Sequence, residues 1–193
     1  MSGINTFPLC VPKAQPNTNL AAIAHTQFKE ADGLIVSTKP LAEAYKKYNK
    51  NIHVIPNAID FSLVNKFYKP PHNGKKVVIG WCGGSSHKLD LEVIKKPLIK
   101  FLNANPHVEF QVMGMDLEWE KEIPQFKHVD WVSMDQYYQK YYALGWDIGL
   151  APLFDSEYNR CKSNLRYLEL SAQKVPIIAS PIYLGNHLPL VIR

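Results

Sequence analysis

Cysteine is scarce in this chain: Cys10, Cys82 and Cys161 are the three among 193 residues. An odd number without Cys-x-x-Cys spacing excludes a disulfide framework and a zinc ribbon, and points to reduced thiols inside a cell. No apolar run approaches the roughly 18–20 residues that cross a bilayer. The opening stretch MSGINTFPLCVPKAQPNTN lacks a basic segment followed by an apolar one, so no secretory signal is expected there. Positive charge is in modest excess, +5 net, but Lys and Arg are spread along the chain. That pattern argues against a nucleic-acid partner and leaves a phosphorylated small molecule or an anionic membrane face. Gly-x-Gly-x-x-Gly and Gly-Lys-Ser/Thr phosphate loops are both absent, as are internal repeats and low-complexity segments.

What remains is the composition of an ordinary globular protein, with a regular alternation of strand-like and helix-like segments. Residues 1–19 hold three prolines and read as an irregular lead-in. Residues 20–66 follow with a helix, a buried strand GLIVST, a second helix KPLAEAYKKYN and a strand NIHVIPN. FYKPPHNGKK, residues 67–76, combines Pro-Pro, Asn-Gly and positive charge and reads as a linker. From 77 to 193 strands are expected in KVVIGW, HVEFQVMG, KHVDWVS, DIGLAP and VPIIAS, with helices in DLEVIKKPLIKFLNAN, MDQYYQKYYALG and KSNLRYLELSAQK. Pro97 sits awkwardly inside the first of these helices, where it would cost about 3 kcal/mol unless the helix kinks. Near-continuous apolar strands between amphipathic helices indicate an α/β fold, a doubly wound, Rossmann-like parallel sheet. The closing PIYLGNHLPLVIR stands where one more helix–strand unit is expected, so the chain reads as a piece of something larger.

In such a sheet ligands bind beyond the carboxyl ends of the strands, and three segments occupy such places. GWCGGSSHKLDL turns from strand to helix through Gly83, Gly84, Ser85 and Ser86. It is either a cradle of backbone N–H groups for a phosphate or a plain turn with Asp90 capping the helix. In EYNRCKSNLRYLELSAQK, a single helix would put Lys162, Arg166 and Glu169 on one face at spacings of four and three. Lys162 and Glu169 would then stand roughly 10 Å apart along the axis, at 1.5 Å per residue. That spacing suits a phosphate and a ribose, and equally a solvated charged face. WDIGLAPLFDS leaves the sheet at Pro152 for a polar loop, and alone says little.

Taken in order, ADGLIVSTKPLAEAY, IHVIPNAID, IGWCGGSSHKLDL, VEFQVMG and DIGLAPL with YNRCKSNLRYLELSAQKVPIIAS resemble the glycosyltransferases of the GT-B fold. The likeness is to the retaining, glycogen-synthase-like group (family four and its relatives), over about residues 20–183. It implies the C-terminal half of a GT-B architecture, with residues 20–66 as the end of an N-terminal domain and 77–193 as an incomplete donor-binding domain. It further implies metal-independent transfer of a hexose-type sugar from a nucleotide-diphosphate sugar to a glycan or lipid-linked acceptor. No cofactor is implied, nor any metal; such a protein would lie in the cytoplasm, at the inner membrane face, in polysaccharide biosynthesis.

The resemblance assigns roles residue by residue. Gly83, Gly84, Ser85, Ser86 and His87 would lie against the diphosphate, with Lys88 as a helper and Lys162 neutralising the leaving charge. Glu169 would hold the ribose hydroxyls, and with Lys162 would form the catalytic pair. Trp131 and Val132 would stand near the base, core packing being the plain alternative for each. Two departures matter. The second glutamate expected eight positions before Glu169 is Cys161, and most of the acceptor domain is missing, so a separate N-terminal domain or subunit is implied. The alternative is a non-catalytic nucleotide- or phosphate-binding module, a partner subunit derived from such a transferase. A response-regulator-like domain is excluded because the first strand of the main domain ends in Gly-Trp-Cys-Gly-Gly rather than in acidic residues.

Overall fold

The computed structural model describes residues 18–70, 74 and 76–182. Most of the lead-in, part of the 67–76 stretch and the closing residues 183–193 lie outside the described residues. The chain divides into two compact units, residues 1–57 with 155–164, and residues 58–154 with 165–193. The division falls at Asn57/Ala58 rather than within 67–76. The reason is local: helix α3 (Phe61–Phe67) buries Val64 in the core of the second unit, and the Lys69 N–H bonds the Tyr142 carbonyl at 3.1 Å.

In the first unit, helix α1 (Thr18–Glu30) precedes strands β1 (Leu34–Val36) and β2 (Ile52–Val54), which pair in parallel across helix α2 (Lys39–Tyr45). The Thr38 hydroxyl caps α2 by accepting from the Leu41 N–H at 3.1 Å. It also donates to the Cys161 carbonyl at 2.8 Å, tying helix α7 (Glu157–Cys161) into this unit. Val36, Leu41, Ala42, Tyr45 and Cys161 form its small core.

The second unit carries β3 (Val77–Gly83), β4 (Val108–Gly114), β5 (Phe126–Val129), β6 (Ile148–Ala151) and β7 (Ile177–Ala179). All pairs are parallel and the order is β5-β4-β3-β6-β7, the doubly wound sheet expected from the alternation. Side chains alternate along β3: Ile79 and Trp81 enter one core with Leu91, Leu98, Leu102 and Phe110, while Val78 and Cys82 enter the other with Tyr137, Tyr141, Trp146 and Leu170. Both faces are thereby covered. Gly80 is required by packing, since a Cβ there would lie 1.8 Å from the Trp146 ring. Asp147 is structural as well: its carboxylate accepts from the Val78 N–H at 2.7 Å and fixes the start of β3.

Two helices expected as continuous are each broken. The first divides into α4 (Lys88–Glu92) and α5 (Lys95–Ala104). Pro97 thus falls in the first turn of α5, where its missing N–H has no intrahelical partner to lose. The second begins only at α8 (Leu165–Ala172), because Lys162 leaves α7 in extended conformation, φ −63° and ψ 149°. Lys162 therefore does not share a helix face with Arg166 and Glu169, and the spacing expected along one axis does not hold. Helix α6 (Met134–Tyr142) supplies the tyrosines of the second core.

Candidate functional site

The sheet order reverses between β3 and β6, so the carboxyl ends of these strands mark the place where a doubly wound fold accepts ligands. β3 leaves the sheet through Gly83 and Gly84 into a single 3-10 turn, Ser85–His87. The two glycines serve different ends. Gly83 is buried, and a Cβ on it would stand 2.7 Å from the Trp81 ring; its absence is a matter of core packing. Gly84 is exposed, has an ordinary extended backbone (φ −91°, ψ 179°), and a Cβ on it would meet nothing within 4 Å. Neither conformation nor the protein's own packing demands glycine there. What a missing side chain leaves open is approach to the backbone from outside.

That approach is a cleft of about 410 Å³ lined by Gly84, Ser85, Lys88, Gly114, Asp116 and Trp131 together with Met115. The volume lies within the ordinary range for a small-molecule site. Gly114, at the end of β4, has φ +116°, and a Cβ on it would clash with the Gly83 carbonyl at 2.4 Å and the Trp131 ring at 2.8 Å. This glycine lets the loop after β4 pass close beneath Trp131, which stays 51% exposed along the cleft. Lys88 and Asp116 line it: Lys88 pairs with Glu118, and Asp116 Oδ1 lies 3.3 Å from His128 Nδ1. The helix that follows the 3-10 turn has only five residues. A helix this short has only a small dipole to offer at its start.

Asp90 does not cap that helix. It is 2% exposed within α4, with one carboxylate oxygen 2.7 Å from His87 Nδ1 and the other accepting from the Phe154 N–H at 2.8 Å. The turn after β3 and the segment after β6 are thus joined through one buried carboxylate.

On α8, Glu169 is buried with the half-buried Arg166 beside it, Nη1 to Oε2 3.4 Å, and the guanidinium lies 5.9 Å from the centre of the Tyr141 ring. Burial raises the Glu169 carboxyl above its ordinary value, and the Arg166 charge offsets part of that rise. Burial opposes the Arg166 charge, yet Tyr141, Cys82 and Glu169 around it prevail and hold it well above its ordinary value. The Cys82 thiol and the Tyr137 hydroxyl, 3.7 Å apart, are both raised, chiefly by burial.

The structure thus brings Gly84, Ser85, Lys88 and Trp131 to one cleft. Ser86 is exposed on the same turn, His87 is half-buried behind it, and Gly83 lies in the core. Val132 packs against the second core rather than lining the cleft. Glu169 is buried against Arg166, and Lys162 places its ammonium 4.6 Å from the centre of the Tyr158 ring. The sequence reading passed over Gly114, Asp116 and the buried role of Asp90; a glycine closing a strand, followed by Met-Asp, was the available signal for the first two. Among the described residues no group of three or more His, Cys, Asp or Glu converges as a metal site would, and no helix is long and apolar enough to cross a membrane.

No family model matches the chain. It is 25% identical over 177 residues to TuaH of Bacillus subtilis (strain 168), which bears the name of a teichuronic acid biosynthesis glycosyltransferase. That match covers 84% of this chain and 42% of TuaH. Among solved structures it is similar to TarM, with a TM-score of 0.56 at 13% identity over 82% of this chain and 31% of TarM. A point mutant of TarM from S. aureus, solved with fondaparinux, alpha-GlcNAc-glycerol and UDP, gives 0.55 at 12% identity, covering 84% and 32%. The chain thus spans less than half the length of each of these proteins. At these identities the structural likeness speaks for the fold, and TuaH supplies the likeness in sequence. The chain is thus similar in sequence to TuaH and shares the α/β fold of TarM over most of its own length.

Proposed function

We propose that the chain is the donor-binding part of a retaining, metal-independent glycosyltransferase that moves a hexose-type sugar from a nucleotide-diphosphate sugar to a glycan or lipid-linked acceptor. The observation that carries this reading is Gly84, a glycine that neither backbone conformation nor protein packing requires, at the mouth of a cleft faced by an exposed Trp131. The N–H groups of the Gly84–Ser86 turn and the Ser85 hydroxyl receive the diphosphate. Trp131 offers its ring face to the base. Preorganised donors of this kind stabilise the charge that develops on a departing diphosphate. Lys162 is the cation assigned to that leaving charge, and Glu169 the carboxylate assigned to the ribose.

TuaH, named a glycosyltransferase in teichuronic acid biosynthesis, and the TarM complex with UDP and a GlcNAc-glycerol support a nucleotide-sugar donor and a glycan acceptor. They favour the catalytic reading over a non-catalytic binding module. Such an enzyme works in the cytoplasm, at the inner face of the membrane, where a lipid-linked acceptor is presented.

The test is turnover. The chain, supplemented with a candidate N-terminal acceptor domain and a glycan acceptor, is incubated with UDP-, GDP-, ADP- and CDP-linked sugars, with and without EDTA, and nucleotide release and the anomeric configuration of the product are followed. The reading expects release from one donor, unaffected by EDTA, with the anomeric configuration retained. An inverted product would refute the retaining assignment, and EDTA-sensitive release the metal independence. No release from any donor, with binding intact, would leave the binding module as the correct reading.

A further inference from the structure

We infer that Thr38 and Asn57 are positioning residues for Lys162, the two side chains that fix the backbone on either side of that lysine. This rests on the leaving-charge role proposed for Lys162 and adds to it the groups that hold the cation in place.

Lys162 follows α7 with an extended backbone, φ −63° and ψ 149°, and belongs to neither a helix nor a strand. Outside a regular element no ladder of backbone bonds fixes a residue, and side chains must do it. Here they do so on both sides. The Thr38 hydroxyl donates to the Cys161 carbonyl at 2.8 Å, and the Asn57 amide donates to the Ser163 hydroxyl at 2.7 Å. The partners are 123 and 106 residues apart in sequence, so neither bond is a by-product of a local turn. Thr38 is 1% exposed, and the same hydroxyl accepts from the Leu41 N–H to cap α2, which sets its place.

Both side chains come from the same end of the small sheet. Thr38 follows β1 and Asn57 follows β2, and these strands pair in parallel, so the loops that carry them leave at the carboxyl ends. They stand in VSTKP and VIPNA, two segments to which the donor site otherwise gives no role. A tie that served only to close the first unit could fall anywhere along residues 155–164. Instead the two bonds bracket one residue, the lysine assigned to the leaving charge. A cation fixed before the diphosphate charge develops needs no reorganisation when it does. An ordered loop also spares the ligand the cost of ordering it.

The experiment is isothermal titration of the whole chain with UDP, GDP, ADP and CDP and the matching nucleosides, with thermal unfolding alongside. The proteins are wild type, Lys162→Ala, Thr38→Val, Thr38→Ser, Asn57→Ala and the double variant Lys162→Ala with Asn57→Ala. Lys162→Ala is expected to weaken diphosphate binding about tenfold while sparing the nucleoside. Thr38→Val and Asn57→Ala are each expected to weaken it about fivefold, again sparing the nucleoside. Thr38→Ser keeps the hydroxyl and should bind as wild type does. On the Lys162→Ala background Asn57→Ala should cost no further affinity, while its effect on Tm persists. A merely structural bond shows no such coupling to Lys162. Wild type that binds none of the four diphosphates overturns the donor reading, and the positioning role with it. An unchanged diphosphate preference in Lys162→Ala removes that lysine from the donor reading, and its two supports with it. Loss in Lys162→Ala with wild-type binding in both Thr38→Val and Asn57→Ala overturns the positioning role alone, as does an Asn57→Ala loss undiminished on the Lys162→Ala background. Loss in only one of the two confines the role to that residue. Should Thr38→Val not fold, Asn57→Ala decides by itself, because that side chain is exposed.

Discussion

Replacing Gly84 by alanine separates the ligand's demands from the protein's. A methyl group at this position meets no atom within 4 Å, and the backbone, φ −91° and ψ 179°, is open to any residue. Alanine in a compatible conformation narrows the unfolded ensemble, so Gly84→Ala should raise stability by about 0.5 kcal/mol. For a chain of this size that is a rise in Tm of about 1–2 °C. Diphosphate binding should move the other way. The methyl stands where the phosphate would approach, and losing one or two hydrogen bonds to a charged ligand costs about 1.5–3 kcal/mol, roughly ten- to a hundredfold in affinity. Gly83→Ala is the control with the opposite signature: its Cβ would lie 2.7 Å from the Trp81 ring inside the core, and overpacking of this kind costs about 1–3 kcal/mol. Thermal unfolding and calorimetric titration of both variants provide the readouts. A Gly84→Ala protein that is stable and binds diphosphate like wild type would refute the cradle and leave a plain βα turn.

Trp131→Ala should weaken nucleoside and nucleotide binding to the same degree, by about 1–3 kcal/mol if the ring stacks on the base, with little change in Tm because the ring is half exposed; a loss confined to the nucleotide would move Trp131 from the base to the phosphates. Lys162→Ala should weaken diphosphate binding much more than nucleoside binding, and equal losses in the same titrations would remove it from the phosphate role. Glu169 carries a pH prediction. Its carboxyl is raised in the folded chain by burial, so the folded state binds the proton more tightly than the unfolded state. The stability it contributes is complete below the ordinary carboxylate range and is lost as pH rises through the raised value. Relative to wild type, Glu169→Gln should therefore gain in Tm between pH 4 and pH 7, and a difference independent of pH would contradict the burial argument.

The alternation of apolar strands and amphipathic helices was enough to anticipate the parallel sheet, because each strand of a doubly covered sheet must be apolar on both faces. The helix interruptions were harder to read. Pro97 announced the first but not its place, which follows from the need to put the proline in an opening turn. The break at Lys162 had no local sign: α7 is held by the Ser156 cap and by the Thr38 bond to Cys161, 123 residues away in sequence. The same distance problem governs the site. Gly-Gly-Ser-Ser was legible as the turn that leaves β3, yet the sequence could not tell the packing glycine, Gly83, from the open one, Gly84. Asp90 read as a cap because its spacing permits one, whereas its second partner, the Phe154 N–H, lies 64 residues on.

The most direct test of the donor site is a proton–nitrogen NMR titration of the 15N-labelled chain with UDP, GDP, ADP and CDP and their nucleosides. The account predicts that one diphosphate shifts the amides of Gly84, Ser85, Ser86 and Gly114 and the Trp131 indole, with its nucleoside moving the indole far more than the turn. Shifts that bypass the turn and the cleft, or none with any of the four diphosphates, would contradict it.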